Sequence, residues 1–387
     1  MEKHSEIFKS AIMQPSYLDK FNLDKFNLAK VSAIVPTYNR SPHTVEKDAN
    51  PLGWCLESLV SQKGDILDEI IVMDDASSDY TFEVVKDFQE RFPIDIKYFR
   101  NKENRGSSIN RNMAVNQSRN SSIVFLDDDC IFSNYFVFGA AFTLNALSED
   151  VAAVHMPVYH RSIKPVLGKM EDIGVLNLAT GLMTGNYGNF PISYLESLKD
   201  NFLNEALGIF NPFEISNLGG VFISRKDPFQ EIGGFPEFLA WKNGYREETN
   251  VAIKFVQNGY KIFFTPDPKF HSVHLKYGSR SSVRELDSMD PVLKRLVSCS
   301  SVERQNTGNR VDPEEWFFDR IISTYVTLGI QNKKVAEDYM KDAEVNFVEG
   351  NKLAITGVGG KIRSKTKRRK IFERAFAEGS KLIQVLA

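Results

Sequence analysis

Three consecutive aspartates, Asp127, Asp128 and Asp129, follow the apolar run Ile-Val-Phe-Leu. Two carboxylates one residue apart at the end of a strand can turn towards one ion, which makes Asp127 and Asp129 candidate metal ligands. Mg²⁺ and Mn²⁺ prefer oxygen ligands and usually keep waters and phosphate oxygens in their shell. An ion held there can act as a Lewis acid and neutralise the charge that develops on a leaving diphosphate. An acidic turn or a helix cap explains the three residues equally well when they are considered alone.

The chain before these aspartates predicts a parallel sheet. Short apolar runs rich in β-branched residues predict four strands, at Val31–Val35, Glu69–Met73, Ile94–Phe99 and Ser122–Leu126. Apolar residues at helical spacing predict three intervening helices, at Trp54–Gln62, Thr81–Arg91 and Ser107–Arg119. Strands that alternate with helices at this spacing are typical of a parallel sheet that is covered by helices on both faces.

A polar cluster follows each of the four predicted strands. The clusters are Pro36–Arg40, Asp74–Asp79, Asn104–Gly106 and Asp127–Asp129. Ligands of open α/β sheets bind beyond the carboxyl ends of the strands. We therefore expect the four clusters to share one edge of the sheet, and this edge is the candidate site.

The second half of the chain has a weaker pattern. Residues 159–217 are rich in Gly, Asn, Phe and Leu and predict helices and loops rather than sheet. Beyond them, a strand is predicted at Gly219–Ser224, a helix at Glu247–Gln257 and a last strand at Lys261–Phe264. From residue 279 the chain is more charged, and helices are predicted near Pro313–Thr327 and Lys333–Val345.

The composition excludes some classes of protein. Lys+Arg number 48 against 50 Asp+Glu, and this balance gives no reason to expect a nucleic-acid partner. Cys55, Cys130 and Cys299 are an odd number without paired spacing, which fits a reducing compartment. The start of the chain is polar and no long apolar run follows, so we expect a cytoplasmic protein. The basic tail 361–387 is compatible with peripheral contact at the inner face of a membrane or with a solvated tail.

Taken together, the ordered motifs resemble the glycosyltransferase family 2 enzymes with the GT-A fold. The resemblance runs collinearly from residue 31 to residue 278. The segments that carry it are Val35–Arg40, Ile71–Asp79, Asn104–Asn112, Phe125–Asp129, Gly219–Arg225, Gly233–Phe235, Glu247–Asn250 and Gly259–His274. The chain departs from the family pattern at three places: Ala76 replaces a usual Gly, Cys130 replaces a frequent acid, and Ser41–Gly53 is a longer loop.

The resemblance implies a fold and an activity. The fold is an α/β GT-A domain over residues 31–278, Rossmann-like, with a mostly parallel central sheet flanked by helices. Its nucleotide-binding half would be residues 31–130 and its acceptor-binding half residues 131–278, between an N-terminal extension, 1–30, and a helical C-terminal extension with a basic tail, 279–387. The implied activity is inverting, in-line transfer of a hexosyl or N-acetylhexosaminyl group from a nucleotide-diphosphate sugar, with UDP preferred. The acceptor would be a hydroxyl of a sugar, a lipid-linked sugar or a metabolite, and the cofactor Mn²⁺ or Mg²⁺.

The resemblance also implies roles for single residues. Pro36, Thr37, Tyr38 and Asp75 would hold the nucleobase, with Asp75 accepting a hydrogen bond from a ring N–H. The other donor-side candidates are Arg40, Asn104, Gly106, Arg111, Asp127 and Asp128, of which Arg111 would face the diphosphate or the sugar. Asp129 and His274 would bind the metal ion, and Gly219, Gly220 and Trp241 would lie on the acceptor side. Glu248 would be the general base, and Glu247 would help to position the acceptor.

Ordinary structural roles compete with several of these assignments. Glu247 and Glu248 would open a helix, where acidic residues complement the helix dipole; the same dipole would keep Glu248 ionised. His271 is a rival to His274. Asp79 is expected to act in a turn and a helix N-cap, and so is the neighbouring Ser78. Trp241 can stack on a sugar ring or anchor a loop.

Three other functions are compatible with parts of the pattern. A nucleotidyltransferase would bring a Gly-rich loop with Lys or Arg after the first strand, and Pro36–Arg40 is not such a loop. A non-catalytic or partner-dependent nucleotide-sugar-binding protein of the same fold would be indicated by loss of Asp129, Glu248 or His274, and all three are present. A Rossmann dehydrogenase is disfavoured because no Gly-x-Gly-x-x-Gly follows the first strand.

Overall fold

The computed structural model describes residues 23–41, 50–166, 169–176, 212–215, 218–237, 247–265, 267 and 270–276. In the C-terminal part it describes residues 314, 318, 321–322, 325–326, 329, 333–349, 362 and 364–386. Most of the predicted N-terminal extension, the segment 42–49 and Trp241 therefore lie outside the described residues.

Twelve strands lie in the described part of the chain. They are β1 (Val31–Thr37), β2 (Leu67–Asp74), β3 (Asp95–Arg100), β4 (Ser122–Phe125), β5 (Cys130–Phe132), β6 (Val151–His155), β7 (Val158–Val166), β8 (Lys169–Leu176), β9 (Phe213–Ile215), β10 (Phe222–Arg225), β11 (Lys261–Phe264) and β12 (Ser272–Lys276). Eight of them form the main sheet, in the order β3-β2-β1-β4-β10-β6-β11-β9. The other four form a second sheet, in the order β5-β12-β7-β8.

The main sheet is mixed, with a parallel first half. β3, β2, β1 and β4 run parallel to their neighbours, and β6 runs parallel to β11. β10 and β9 pair antiparallel with the strands beside them. Thr37 at the end of β1 lies opposite Asp74 at the end of β2, and Ile34 lies opposite Phe125 at the end of β4. The segments that follow these strands therefore meet at one edge, as the sequence predicts.

Eight α-helices accompany the sheets in the described residues. They are α1 (Pro51–Val60), α2 (Thr81–Arg91), α3 (Ser107–Gln117), α4 (Phe136–Ala146), α5 (Lys226–Glu231), α6 (Glu247–Gln257), α7 (Lys333–Ala343) and α8 (Lys365–Leu386). A 3-10 helix covers Leu23–Phe26, and a π-helix covers Glu344–Glu349. Asn50 caps α1, because its side-chain oxygen accepts a hydrogen bond from the backbone N–H of Gly53 at 2.9 Å. The loop predicted over Ser41–Gly53 thus ends at Asn50.

Side chains of the central strands alternate between two hydrophobic cores. Ala33 and Val35 of β1 belong to a core that includes residues of α1, α2 and α4. Ile34 belongs to a second core, which includes residues of α3, α5 and α6. This alternation follows from the two-residue period of a strand, and helices on both faces make the central strands apolar on both sides.

A third hydrophobic cluster is built by the C-terminal part of the chain. Its buried residues include Ile322, Tyr325, Met340 and Phe372, and Ile253 of α6 packs against it. The predicted helical character of the C-terminal part is confirmed where that part is described. The domain boundaries at residues 30, 130 and 278 stay predictions.

The expected α/β architecture, with a central sheet flanked by helices, is confirmed. The one expectation about an element that is wrong concerns residues 159–217, because β7, β8 and β9 contribute strands within this range. β7 and β8 form an antiparallel pair in the second sheet, and β9 is an edge strand of the main sheet. Charged residues and Pro165 interrupt the alternation of apolar residues there. The alternation of apolar and polar residues that is typical of a strand was therefore too weak to indicate strands in this range.

Candidate functional site

The three aspartates form a tight turn between β4 and β5 at the carboxyl edge of the main sheet. The backbone N–H of Leu126 donates to the carbonyl of Ile34, and the N–H of Cys130 donates to the carbonyl of Asp127, both at 3.1 Å. Asp128 and Asp129 are buried, whereas the Asp127 side chain is 29% exposed. One ligand atom each from Asp127, Asp129 and Cys130 lies within 4.8 Å of the others. One ion could contact this group of atoms.

The chemistry of these ligand atoms fits a hard divalent cation. Burial, followed by the charges of Asp127 and Asp129, raises the pKa of the Cys130 thiol well above its usual range. A thiol that keeps its proton is a poor metal ligand, and the thiolate is the form that binds. The two aspartates therefore provide the effective donors, and carboxylate oxygens suit Mg²⁺ or Mn²⁺.

His274 lies beside Asp129 because the second sheet brings it there. β12 pairs with β5 so that His274 lies opposite Cys130, and the N–H of Leu275 donates to the carbonyl of Asp129 at 2.8 Å. His274 Nε2 lies 3.0 Å from Asp129 Oδ1. Partial burial opposes protonation of His274, but the charge of Asp129 outweighs it and raises the histidine pKa. The contact of the His274 side chain with Asp129 favours His274 over its rival, His271.

Arg40 also contacts the acidic turn, although it lies in the loop after β1. Its Nε is 3.1 Å from Asp128 Oδ1, and its Nη2 is 2.9 Å from Asp129 Oδ2. The charge of Asp128, and then that of Asp129, raises the pKa of Arg40. Burial opposes ionisation of Asp129, but His274 and Arg40 outweigh it and lower the Asp129 pKa. For Asp128 burial prevails and raises the pKa to about 6.

Arg111 connects the acidic turn to helix α6. Its guanidinium is buried in α3, with Nη2 at 2.7 Å from Asp127 Oδ1 and Nη1 at 3.0 Å from Glu247 Oε1. The guanidinium carbon lies 5.3 Å from the ring centroid of Phe235. Burial disfavours its charge, yet Asp127 and Glu247 prevail and raise the pKa of Arg111. Arg111 Nε is buried without a hydrogen-bond partner among the described residues, so one donor remains for a ligand.

Glu247 and Glu248 are the first two residues of α6. Glu247 is buried against Arg111, and Glu248 is partly buried. Burial, followed by the charge of Glu247, raises the pKa of Glu248 to about 8. The helix dipole was expected to keep Glu248 ionised, but these two effects act against the dipole and exceed it. In the absence of ligands the Glu248 carboxyl therefore keeps its proton at neutral pH.

The loop after β2 is held by its own aspartates. Asp75 Oδ1 accepts from Asn101 Nδ2 at 2.9 Å and from the N–H of Arg105 at 2.7 Å, while Oδ2 accepts from the N–H of Gly106 at 2.8 Å. Asp75 thus fixes the segment that contains Asn104 and Gly106. The contact of Asp75 with a nucleobase stays a prediction. The three protein donors leave the Asp75 carboxylate little capacity to accept a further hydrogen bond.

The neighbouring aspartates of this loop have structural partners, as the sequence reading allowed. Asp74 Oδ1 accepts from the N–H of Ser77 at 2.9 Å. Asp79 Oδ1 accepts from the N–H of Thr81 at 3.1 Å in the turn before α2, but the N-cap position of α2 is Tyr80, so the N-cap expected at Asp79 is wrong and the expected turn is present. Ala76 has φ of 65°, in the left-handed region where the family usually has Gly.

The remaining donor-side candidates surround the same edge. Pro36 and Thr37 are buried, Tyr38 is partly buried, and the carbonyl of Thr37 accepts from the N–H of Asp75 at 2.9 Å. Asn104 Oδ1 is buried without a hydrogen-bond partner among the described residues. A buried amide oxygen without a partner costs stability, so this oxygen is a candidate contact for a bound donor.

Two of the three acceptor-side candidates are described. Gly219 and Gly220 are partly buried and precede β10. A Cβ atom at Gly220 would lie against Asp127 Oδ2, so a larger residue there would have to displace this carboxylate. Gly220 therefore lies on the acidic turn, and Trp241 lies outside the described residues.

Sequence reasoning missed the residues that hold the turn before α6. Asn112, next to Arg111 in α3, donates to the carbonyl of Phe235 and accepts from its N–H, each at 2.9 Å. Lys254 of α6 donates to the carbonyl of Gly234 at 3.0 Å. The one signal for Asn112 in the sequence was its place in Asn104–Asn112, a segment that carries the family resemblance. No property of the sequence indicated that Asn112 binds the backbone of Phe235.

Comparison with known proteins gives consistent matches. Residues 32–180 match the sequence model of Glycosyl transferase family 2. Glycosyltransferase AglE from Haloferax volcanii is 31% identical over 212 residues, which are 54% of this chain and 57% of that protein. GalNAc(5)-diNAcBac-PP-undecaprenol beta-1,3-glucosyltransferase from Campylobacter jejuni is 40% identical over 101 residues, 26% of this chain and 29% of that protein.

A third relative also has a solved structure. The Staphylococcus aureus poly(ribitol-phosphate) beta-N-acetylglucosaminyltransferase TarS is 27% identical over 128 residues, 33% of this chain and 21% of that protein. The structure of TarS 1–349 in complex with UDP-GlcNAc is 17% identical, covers 90% of this chain and 92% of that one, and has a TM-score of 0.46. Among the curated relatives, the matched segment spans between 13% and 57% of the relative's length.

The mixed α/β sheet, with an acidic cluster at its carboxyl edge, has the architecture expected from the family resemblance. The match over residues 32–180 and the matches to curated glycosyltransferases identify a glycosyltransferase family 2 domain in the first half of the chain.

The C-terminal helix bears on the predicted membrane contact. Within the described residues, we find no helix with the length and apolar character needed to span a bilayer. Several basic side chains of the tail have partners in the protein: Lys367 lies 2.8 Å from Glu314, Arg369 lies 3.0 Å from Glu344, and Arg368 donates to the carbonyl of Ile362. These pairings leave fewer charges for a lipid surface, and peripheral contact through 361–387 stays a prediction.

Proposed function

We propose that this protein transfers a sugar from a nucleotide-diphosphate sugar to a hydroxyl group of an acceptor, with inversion at the anomeric carbon. The observation that carries the proposal is the bridge made by Arg111. Its guanidinium contacts Asp127 on the acidic turn and Glu247 on α6, at 2.7 and 3.0 Å. This bridge joins Asp127, one of the two carboxylates suited to a phosphate-bound cation, to the start of α6, where the carboxyl of Glu248 has a raised pKa. Both parts are needed for one displacement reaction.

The donor would bind across the loops that follow β1, β2 and β3. Pro36, Thr37 and Tyr38 would contact the nucleobase, and Asp75 would shape this pocket through the loop that it holds. Asn104 Oδ1 and Arg111 Nε are buried polar atoms without described partners, and the donor could satisfy them. The preference for UDP rests on the family resemblance.

Asp127, Asp129 and His274 would hold a divalent cation, Mn²⁺ or Mg²⁺. A bound cation would supply Lewis-acid stabilisation of the diphosphate leaving group. His274 can ligate only through a nitrogen lone pair, so it would give up its hydrogen bond to Asp129 Oδ1 on binding. Arg111, with its charge kept by Asp127 and Glu247, would add a fixed positive charge near the same phosphates.

Glu248 would act as the general base in the displacement. The acceptor oxygen forms a bond to the anomeric carbon while the bond from that carbon to the diphosphate oxygen breaks. The hydroxyl proton passes to the carboxylate of Glu248, and the nucleoside diphosphate leaves with the bonding electron pair. A carboxyl whose pKa lies near 8 is well matched to accept a proton near neutral pH. Glu247, fixed by Arg111, would hold the start of α6 and so the position of Glu248.

The acceptor and the sugar are expected to belong to glycan or glycolipid assembly, or to the glycosylation of a metabolite. The named relatives support sugar transfer as a class, since one is named for glucosyl transfer and another for N-acetylglucosaminyl transfer. They differ in both sugar and acceptor, so we propose a hexosyl or N-acetylhexosaminyl group without choosing between the two.

A thermal-shift panel tests the donor site. UDP-, GDP-, dTDP- and CMP-sugars are added to the protein with and without Mn²⁺, because a ligand that binds only the folded state raises the melting temperature. We expect a metal-dependent shift with UDP-sugars. A shift with another nucleotide class would correct the nucleotide alone, whereas no shift with any donor would contradict the proposed activity.

Asp129→Ala tests the metal site within this panel. We expect the variant to lose the Mn²⁺-dependent part of the shift and to bind donor no better with metal than without it, because one of two carboxylate ligands is gone. Calorimetry of Mn²⁺ and UDP-sugar binding checks the result. Asp87→Ala, which removes an exposed carboxylate on α2, is the matched control and should bind like the unmodified protein. Unchanged metal-dependent binding by Asp129→Ala would contradict the assignment.

A further inference from the structure

Both side-chain oxygens of Asp129 are covered by groups of the protein itself. Oδ2 lies 2.9 Å from Arg40 Nη2, and Oδ1 lies 3.0 Å from His274 Nε2. Arg40 Nε also contacts Asp128 at 3.1 Å. Asp129, a proposed ligand of the divalent cation, is therefore already paired with the guanidinium of Arg40.

The charges around the edge show why a guanidinium sits there. The acidic turn and the start of α6 together bring five carboxyl groups to this part of the edge, those of Asp127, Asp128, Asp129, Glu247 and Glu248. Two arginines face them, and one of these, Arg111, is 5% exposed and fixed between Asp127 and Glu247. The other, Arg40, is 30% exposed at its side chain. Arg40 is thus the arginine that can leave the cluster for solvent, whereas His274 is held beside Asp129 by the pairing of β12 with β5.

We propose that Arg40 occupies the place of the divalent cation on Asp129 in the metal-free protein and leaves Asp129 when a cation binds. Arg40 and the cation would then compete for one carboxylate. The inference rests on the proposed function in that it accepts Asp127 and Asp129 as the cation's ligands.

The exchange requires only a movement of the Arg40 side chain. The backbone on both sides of Arg40 is tied to the loop after β2: the N–H of Asn39 donates to Ser77 Oγ at 2.9 Å, and the N–H of Ser41 donates to Asp79 Oδ2 at 2.6 Å. In addition, Asn39 Oδ1 accepts from the N–H of Ser78 at 2.8 Å. A long side chain on a fixed backbone can swing between two partners without a change in the loop.

The released guanidinium would remain at the donor site. Guanidinium groups bind phosphate oxygens in the same bidentate manner in which they bind carboxylates. Cation binding would therefore convert Arg40 from a partner of Asp129 into a candidate partner of the donor's diphosphate. This order of events predicts that the donor binds more tightly after the cation than before it, through Arg40 as well as through the cation.

Mn²⁺ binding in the absence of nucleotide tests the competition. The unmodified protein, Arg40→Gln, Arg40→Lys and Arg100→Gln are titrated with MnCl₂, and free Mn²⁺ is followed by its electron paramagnetic resonance signal. Arg100→Gln is the matched control, since it removes one positive charge that faces Asp74 in the neighbouring loop and does not contact the acidic turn. We expect Arg40→Gln to bind Mn²⁺ at least about tenfold more tightly than the unmodified protein, because competition at one carboxylate is a reciprocal coupling. Arg40→Lys should fall between them, and Arg100→Gln should stay near the unmodified value.

A second measurement follows the melting temperature of the protein instead of its affinity for Mn²⁺. Without metal, Arg40→Gln should melt below the unmodified protein, because the carboxylates then repel one another. Saturating Mn²⁺ should raise its melting temperature by more than it raises that of the unmodified protein. Equal or weaker Mn²⁺ binding by folded Arg40→Gln would overturn the exchange while leaving the metal site intact. Absence of Mn²⁺ binding in every variant, with and without UDP, would overturn the metal site and the exchange together.

Discussion

The two edges of the main sheet both carry clusters of charged residues, but they are built differently. At the amino edge, the buried carboxylate of Glu69 accepts from Ser32 Oγ at 2.6 Å and from the N–H of Arg119 at 2.8 Å, and Lys97 Nζ lies 2.7 Å from its other oxygen. Arg119 also contacts Asp68 and Asp95, each at 2.6 Å. Every carboxylate of this cluster has a cation or a donor of the protein beside it.

At the carboxyl edge the carboxylates outnumber the arginines. Arg40 and Arg111 face the acidic turn and the first two residues of α6, and the pKa of Glu248 is raised to about 8 because burial and a second carboxylate disfavour its charge. A folded protein retains such an unbalanced cluster where a ligand supplies the missing charge or where a proton must move. Carboxylates outnumber cationic side chains at both edges, so the comparison teaches that the functional edge is marked by one carboxyl whose charge its neighbours do not offset, that of Glu248.

The largest expected effect comes from Glu248→Gln at the carboxyl edge. Loss of a general base should lower kcat about 10²–10⁴-fold, with donor binding retained, because the amide cannot accept the hydroxyl proton. Release of nucleoside diphosphate in steady-state assays measures the rate, and calorimetry measures donor binding. Glu247→Gln serves as the matched variant and should keep more activity. Normal turnover by Glu248→Gln would remove the base assignment.

The next largest effect is on stability, at the amino edge. Glu69→Gln should lower the free energy of unfolding by about 2–3 kcal/mol, since the variant loses charge-assisted contacts in a buried position. Urea denaturation at neutral pH measures the change, and kcat of the protein that remains folded should be unaffected. Glu90→Gln, in an exposed pair with Lys86, should cost less than about 0.5 kcal/mol. If Glu69→Gln reduced kcat of folded protein instead, the distinction between the two edges would be lost.

A pH profile should report the unmatched charge directly. Glu248 must be ionised to accept a proton, so kcat/KM should fall about tenfold for each pH unit below the Glu248 pKa of about 8, and level off above it. Glu247→Gln should move this break to lower pH, because one of the charges that raise the pKa is gone. A profile whose break is not moved by Glu247→Gln would contradict the cause that we assign.

The same raised pKa has a consequence for stability. Between the ordinary value of 4.5 and about 8, the folded protein holds a proton on Glu248 that the unfolded chain has released. Its contribution to stability is therefore full below pH 4.5 and lost as the pH rises through about 8. The stability of Glu248→Gln should therefore lack this part of the decrease with rising pH. Melting curves measured across the pH range can check this.

The smallest expected effect comes from the backbone of the loop between β2 and α2. Ala76 has φ of 65°, and glycine adopts this conformation without a Cβ penalty. Ala76→Gly should therefore stabilise the protein by about 0.5–1 kcal/mol, measured by urea denaturation. Ala377→Gly, at an exposed position of α8, should have the opposite sign, because glycine in a helix interior is unfavourable. A loss of stability in Ala76→Gly would mean that the Ala76 methyl group makes contacts that outweigh the strain.

Much of the fold could be predicted because local patterns agreed with the tertiary environment. The bounds of α2, α6 and β11 match the predicted ones, since a helical or strand period coincided with clear end signals. The second sheet was not predicted, because β5 has only three residues and β7 carries charges and a proline. Such strands are specified by their pairing partners and not by their own periodicity.

The site was predictable in its composition but not in its contacts. The sequence placed Asp127, Asp129 and His274 at one edge, and their side chains do lie there. The ion pairs of Arg40 with Asp129 and of Arg111 with Glu247 depend on side-chain conformations across large sequence separations, which no local pattern contains. For Glu248 the sequence offered the helix dipole, whereas burial decides the pKa and becomes visible only in the folded chain.

Helix α6 begins with the two glutamates and, six residues after the first of them, packs Ile253 against the C-terminal hydrophobic cluster. A shortened chain that lacks this cluster, whose buried residues run from Phe318 to Ala375, would expose Ile253 to water. The boundary of a catalytically competent fragment is therefore set by what covers the outer face of α6 and not by the extent of the family match. A fragment for crystallisation or inhibitor screening should keep α7 and α8, even though both lie far from residue 180 in the sequence.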